Sequence, residues 1–124
     1  MALRQSPAEA VVPVADLDRA ARFYRDFLGL AVENDAVHDT MAVHAGSDTL
    51  FELKLAPGMS HADSEVLTFH VEDIESEVSA LRRTGVRFEQ RDEHEGQSLV
   101  AEVEGVRLAW FRDSESNLLA LRQG

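Results

Sequence analysis

The chain has 124 residues, of which 44% are hydrophobic and 28% charged, and its formal net charge is −11. This length suits one domain with a core of its own, and no apolar run approaches the ~20 residues that a membrane span needs. The acidic balance disfavours binding to nucleic acid or anionic lipid. The absence of cysteine excludes disulfides, thiolate metal sites and cysteine nucleophiles. The first residues include one arginine and no apolar signal-peptide core, so we expect a cytoplasmic protein.

The first half of the chain predicts a strand, a helix and three further strands. The apolar run 10–14 is typical of a buried strand. Asp16 is a good N-cap for a helix over residues 17–28, which Gly29 ends. The three later strands are expected at residues 31–38, 41–45 and 49–55.

The second half approximately repeats this plan. Residues 71–75 (Val-Glu-Asp-Ile-Glu) repeat the pattern of residues 14–18 (Val-Ala-Asp-Leu-Asp), and they open a second predicted helix over 74–84 that ends at Gly85. The linker is expected at residues 57–60 (Pro-Gly-Met-Ser). Strands are expected at residues 66–71, 86–91, 98–103, 106–111 and 118–122. The chain therefore predicts one α+β domain, residues 1–124, with module one at about 9–56 and module two at about 64–123.

Two motifs are similar to those of a known family. Residues 12–17 (VPVADL) running into 23–30 (FYRDFLGL) are similar to a V-x-D strand end followed by FY-x-x-x-LG. Residues 110–119 (WFRDSESNLL) are similar to an F-x-D-P-x-G-N strand pair, with serines for the proline and glycine. Over about residues 9 to 123 the chain thus resembles the vicinal oxygen chelate superfamily of glyoxalase I, bleomycin-resistance proteins and extradiol dioxygenases. The resemblance implies two β-α-β-β-β modules that form an open, cup-shaped mixed barrel.

The resemblance also implies up to four metal-ligand positions, on the first and last strand of each module. These positions fall on Glu9 and Glu52 in module one and on Val66 and Ala120 in module two. Two of the four are apolar, and two carboxylates without an imidazole bind a transition ion poorly. We therefore expect no complete metal site, with Glu9 and Glu52 as weak candidate ligands and a divalent metal ion as the alternative cofactor.

Strand alternation directs Glu52 towards the cup if Phe51 and Leu53 pack against the helix. There its carboxylate would serve as a general base with a raised pKa or as a counter-ion for a cationic ligand. The alternative is an ordinary polar strand face, with Glu52 paired to Lys54 or to an arginine.

His70 has the strand parity of Val66 and is also expected to face the cup. It is interpreted as a base, a hydrogen-bonding partner of a ligand or a replacement metal ligand, and the alternative is a structural histidine. His44 has the same alternatives. Trp110 either stacks on a planar ligand or packs under the helix, whereas Tyr24 is interpreted as a packing residue.

The leading hypothesis is a small-molecule binding protein without a complete metal site, similar to the antibiotic-sequestering members and taking a cationic or aromatic ligand. Its expected ligand-binding residues are Glu9, His44, Glu52, Val66, His70, Trp110 and Ala120. One alternative is a metal-dependent lyase or dioxygenase of the same superfamily. The other is a metal-free enzyme with Glu52 or His70 as its base, and the fold cannot choose between these functions. We expect a homodimer and no nucleic-acid or membrane partner.

Overall fold

The computed structural model describes residues 2–6, 8–34, 39–46, 49–58, 64–90 and 99–124. Within these ranges the chain forms a short 3-10 helix at Ala2–Gln5, two longer helices and nine strands. Helix α1 spans Leu17–Arg22 and continues as a π-helical segment over Phe23–Phe27, and helix α2 spans Ile74–Thr84. None of the described helices combines the length and apolar character that crossing a membrane requires.

The strands form two mixed sheets. They are β1 (Ala10–Val14), β2 (Ala31–Asn34), β3 (Thr40–Ala45), β4 (Thr49–Leu55), β5 (Leu67–His70), β6 (Phe88–Glu89), β7 (Ala101–Val103), β8 (Val106–Arg112) and β9 (Leu118–Gln123). The first sheet has the order β1-β4-β3-β2, and the second has the order β5-β9-β8-β6, with β7 paired to β8. In each sheet the first strand of the module lies parallel to the last. The described strands close no barrel, and the predicted α+β fold is confirmed.

The elements differ from the predicted ones at a few ends. The first helix begins where expected, but its second half is π-helical rather than α-helical. Strand β6 has two residues where residues 86–91 were predicted. Residues 35–38, 91 and 98 of the predicted strands, and residues 59–60 of the predicted linker, lie outside the described residues.

Both helices begin with the predicted aspartate caps. The Asp16 carboxylate accepts a hydrogen bond from the Arg19 backbone N–H at 3.0 Å, and Asp73 accepts one from Ser76 at 3.2 Å. Helix α2 ends at Gly85, whose φ of 110° is in the left-handed region that glycine adopts without strain. A Cβ atom there would also lie 3.1 Å from the ring of Phe27 in the other module, so that ring would have to shift slightly.

One hydrophobic core is shared by both modules. It contains Val12, Val14, Ala20, Phe23, Tyr24, Val43, Ala45, Phe51, Leu53, Ile74, Val78, Val86, Val100, Ala109, Phe111, Leu119 and Leu121. The Phe51 and Phe69 rings, one from each module, meet edge to face with their centroids 6.5 Å apart. The Thr84 hydroxyl of α2 donates a hydrogen bond to the Phe27 carbonyl at 2.8 Å. The modules thus pack through the helix-bearing faces of their sheets.

A buried turn between β8 and β9 also ties the modules together. The Asp113 carboxylate accepts four hydrogen bonds: from the backbone N–H groups of Glu115 (2.8 Å) and Asn117 (2.9 Å), the Asn117 side-chain amide (3.0 Å) and the Tyr24 hydroxyl (2.6 Å). Burial, followed by the neighbouring Asp113 charge, raises the pKa of Tyr24 far above its usual value. Tyr24 therefore packs in the core as predicted and also holds this turn.

Glu115, in the same turn, caps the start of α1 from the opposite end of the sequence. Its carboxylate accepts the backbone N–H groups of Ala15 and Asp16, both at 3.0 Å. It also accepts two bonds from the Arg19 guanidinium, at 2.7 and 2.9 Å, and one from the Ser114 hydroxyl at 2.8 Å. Burial by itself raises the pKa of Glu115, but these hydrogen bonds outweigh it and lower the pKa from 4.5 to about 2.

Candidate functional site

The sheet faces that point away from the shared core carry the candidate site, and we call them the distal faces. In module one, Glu52 pairs with Val11 of β1 and with Ala42 of β3, so the three side chains form a row across the sheet. Phe51 and Leu53, on either side of Glu52, are buried in the core. The structure therefore places Glu52, half-buried, on the distal face of β4.

The remainder of this distal face mixes polar and apolar groups. His44 lies on it because it pairs with Leu50, two residues before Glu52. The His44 Nε2 atom lies 2.8 Å from a carboxylate oxygen of Glu33 on β2, and both side chains are exposed. Val11 and Leu50 remain 51% and 37% exposed. The Glu52 carboxylate is thus bordered by two accessible apolar side chains.

The distal face of module two has an apolar floor. A second, smaller cluster contains Ala101, Trp110, Leu118 and Ala120, with Leu108 packed against it. Ala120 pairs with both Trp110 and Thr68, so these side chains share a face. Trp110 therefore lies on the distal face rather than under the helix. Its indole N–H donates a hydrogen bond to the Glu65 carboxylate.

Polar groups surround this floor. His70 is exposed and pairs with Arg122, which puts it on the distal face two residues beyond Thr68. Glu89 pairs with Trp110 along the ladder and accepts a 2.8 Å hydrogen bond from the Arg112 guanidinium. The floor is therefore bordered by groups of both charges.

The four positions that the resemblance assigns to metal ligands do not fit a metal ion. Glu9 is exposed and precedes β1, and Val66 precedes β5 with 38% of its surface exposed. Ala120 is 1% exposed, and neither Val66 nor Ala120 has a side-chain atom that can donate electrons to a metal. In the part of the chain that the structure describes, no three His, Asp or Glu side chains are grouped closely enough to hold an ion. Of these four residues, only Glu52 lies half-buried on a strand and has a side chain that can ligate a metal ion.

Sequence reasoning missed two carboxylates of the distal faces. Glu65 precedes β5, where strand alternation no longer fixes the direction of a side chain, so its hydrogen bond to Trp110 could not be anticipated. Glu33 could have been found, because β2 and β3 follow one another in the sequence and a carboxylate on one of two adjacent strands can reach His44 on the other. The candidate site is therefore more acidic than the sequence indicated.

Two mixed sheets, each with a helix on one face and each built from one half of the chain, define a two-module α+β protein. A sequence profile of the Glyoxalase/Bleomycin resistance protein/Dioxygenase superfamily matches residues 6–121. The chain belongs to this superfamily. A search of curated proteins finds no match to the chain.

Solved structures share the fold at low sequence identity. UcmS2 superposes with a TM-score of 0.73 at 23% identity, over 94% of this chain and 96% of UcmS2. A lactoylglutathione lyase from Agrobacterium tumefaciens gives 0.71 at 18% identity, over 96% and 93% of the two chains. TnmS3, an antibiotic-binding protein from Streptomyces sp. CB03234, gives 0.67 at 22% identity, over 95% and 97%. At these identities the likeness shows the fold alone.

Proposed function

We propose that the protein binds an organic small molecule on its distal faces and does so without a resident metal ion. The observation that carries this proposal is Ala120, a buried alanine packed beside Trp110 at a position where metal-dependent relatives place a ligand. An apolar surface at that position favours the binding of an apolar part of an organic molecule over the binding of a metal ion. The antibiotic-binding protein TnmS3, which has the same fold, is a precedent for such a function.

The chemistry of the distal faces favours a planar, cationic ligand. A ligand ring would stack on the part of the Trp110 indole that remains accessible, 9% of the residue's surface, with the buried Leu118 and Ala120 packed beside it. Glu52 in module one and Glu65 in module two supply carboxylates near the apolar side chains. The net charge of −11 further raises the local concentration of cations.

The enzyme alternatives gain no specific support from these contacts. Glu52 lies on the first sheet and His70 on the second, and each borders an exposed surface. A general base works best in hydrogen-bond reach of a bound substrate and away from bulk water. We therefore keep binding, rather than turnover, as the proposed function.

Titration calorimetry with a cationic and an anionic tricycle tests the proposal. We expect 9-aminoacridine to bind and anthracene-9-carboxylate to bind at least about tenfold more weakly.

The Trp110→Leu substitution should weaken the binding of 9-aminoacridine about tenfold, because the stacking surface is lost. Glu65→Gln should weaken it about three- to tenfold, because the carboxylate that accepts the indole hydrogen bond loses its charge. The matched control is Asp18→Asn, an exposed carboxylate on α1 that should leave the affinity unchanged. Equal binding of both tricycles, or no effect of Trp110→Leu, would contradict the proposal.

We also propose that the working form is a homodimer in which a second copy covers part of the distal faces. Val11 and Leu50 border Glu52, and they leave 51% and 37% of their surfaces exposed to water. Val66 of module two adds a third accessible apolar side chain, 38% exposed. Burial of such side chains is the main favourable contribution to association.

Light scattering after size-exclusion chromatography should give twice the mass of the chain. Val11→Lys places a charge in the proposed interface and should yield the monomer. Leu3→Lys, which changes an exposed leucine of the 3-10 helix, is the control and should leave the dimer intact. A monomeric wild-type protein at tens of micromolar would rule the dimer out.

A further inference from the structure

A cavity of about 280 Å³ lies between the two modules, on the side of the helices. Its apolar lining comes from Leu28, Leu30, Phe69, Leu81, Phe111 and Leu121. Leu28 and Leu30 belong to the end of the first helix and the residues after it, whereas Leu81 belongs to α2. Glu77 of α2 adds a carboxylate to the lining.

This cavity is separate from the distal faces. Phe111 and Leu121 line it, whereas their neighbours Trp110 and Ala120 form the floor of the distal face. Consecutive strand residues point to opposite sides of a sheet. The second sheet therefore stands between the cavity and the site described above, and a molecule in one does not occupy the other.

We propose that this cavity binds a small aromatic amine, with one or two fused rings held against the apolar lining and a cationic amino group directed to Glu77. An apolar cavity of about 150 Å³ is enough to hold benzene, so this cavity has room for a bicyclic ring system. Most of its exposed lining is apolar, and the Phe69 and Phe111 rings provide aromatic edges and faces.

Glu77 supplies the charge selectivity. It lies one helical turn before Leu81, and side chains four residues apart on a helix project from the same face. The Glu77 side chain is exposed, and the described residues show no ion pair or hydrogen bond to its carboxylate. A carboxylate beside an apolar cavity favours a ligand that combines a ring with a cation.

Occupation of the cavity would tie the two modules together. The lining residues Leu28 and Leu30 come from module one, and Phe69 and Leu81 come from module two. A ligand that binds the native protein and not the unfolded chain raises the melting temperature as its free concentration exceeds the dissociation constant. We therefore expect a cavity ligand to stabilise the whole fold.

Calorimetry and thermal melts with 2-naphthylmethylamine and its neutral counterpart 2-naphthylmethanol test this inference. Both should bind the wild-type protein and raise its melting temperature, and the amine should bind about three- to tenfold more tightly. Glu77→Gln should bring the affinity of the amine down to that of the alcohol. Glu72→Gln, which changes an exposed carboxylate just before α2, is the matched control and should preserve the difference. An amine advantage that survives in Glu77→Gln would overturn the role of Glu77.

A larger side chain that fills the cavity should prevent the naphthyl compounds from binding. Leu81→Trp is expected to reduce the affinity for both naphthyl compounds at least about tenfold, because the larger side chain takes up the space. Leu30→Trp fills the same cavity from module one and replaces the first variant if Leu81→Trp does not fold. Unchanged affinity in a folded variant would place the compounds elsewhere and contradict the inference.

An NMR titration of the wild-type protein separates the two sites. Trp110 is the sole tryptophan, so its indole N–H gives one side-chain resonance that reports on the distal face. With 2-naphthylmethylamine the backbone amides of Leu28, Phe69 and Leu81 should shift while the indole resonance stays in place. A shift of the indole alone, or no binding at millimolar amine, would overturn the cavity proposal and leave the distal-face proposal standing.

Discussion

The Asp113→Asn variant is expected to lose about 3 to 4 kcal/mol of unfolding free energy, a large fraction of the stability of a small domain. The wild-type carboxylate accepts four hydrogen bonds and offers no donor. Asparagine keeps one oxygen but turns an NH₂ group towards two of those donors, so buried N–H or O–H groups lose their acceptors. Because Tyr24 of module one and Asn117 of module two both donate hydrogen bonds to Asp113, the substitution removes interactions from both modules.

Urea denaturation of the wild-type and Asp113→Asn proteins measures this loss. Asp18→Asn makes the same chemical change on an exposed helical turn, and we expect it to alter the unfolding free energy by less than about 0.5 kcal/mol. A loss below about 1 kcal/mol in Asp113→Asn would show that the buried turn does not hold the modules together.

The Glu115→Gln variant should lose about 2 to 3 kcal/mol at pH 7 and should also change the acid response of the protein. The carboxylate has a pKa of about 2 in the folded protein against 4.5 when it is free. A depressed pKa in the folded state means that the contribution of Glu115 is complete above pH 4.5. It is lost as the pH falls from about 4.5 to about 2, because the unfolded chain takes up the proton first. Glutamine does not titrate, so the variant should lack this component.

The difference in unfolding free energy between wild type and Glu115→Gln is therefore expected to shrink as the pH falls. Urea titrations at pH 7, 5 and 3 measure it, and the subtraction removes the contribution of the other carboxylates. A difference that stays constant between pH 5 and pH 3 would contradict the assigned role of the Glu115 charge. Both variants should retain the α+β fold at neutral pH, so far-ultraviolet circular dichroism serves as a check on folding.

Local rules explain why much of the fold could be predicted from the sequence. The caps Asp16 and Asp73 and the stop at Gly85 depend on residues within one helical turn. Likewise, the position of Glu52 on the distal face follows from the buried Phe51 and Leu53 beside it. The repeat between the halves supplied the module order, because each half begins with a strand and a capped helix and continues with further strands.

The features that escaped prediction depend on contacts between residues distant in the sequence. Glu115 caps a helix that begins about a hundred residues earlier, and Tyr24 donates a hydrogen bond to Asp113 across a similar span. The π-helical form of residues 23–27 is likewise not reported by helical periodicity. The cavity between the modules depends in the same way on how two complete units meet.

In the candidate site, too, local features could be predicted and contacts between distant residues could not. Strand parity could assign His44, Glu52 and His70 to a face, but it could not say what they touch there. Glu65, which lies outside every strand, accepts the hydrogen bond from Trp110, so the alternation of strand residues could not predict this contact. Side-chain direction could thus be predicted within strands, whereas partners beyond the strand ends required the structure.

The proposed function requires that an organic ligand binds on the distal faces without a resident metal ion. The most direct test is the metal content of protein purified without chelator, followed by titration with 9-aminoacridine before and after treatment with EDTA. We expect no stoichiometric Mn, Fe, Co, Ni or Zn and the same affinity in both titrations. One tightly held ion per chain, together with loss of binding when that ion is removed, would contradict the claim and make metal-dependent chemistry the better account of this protein.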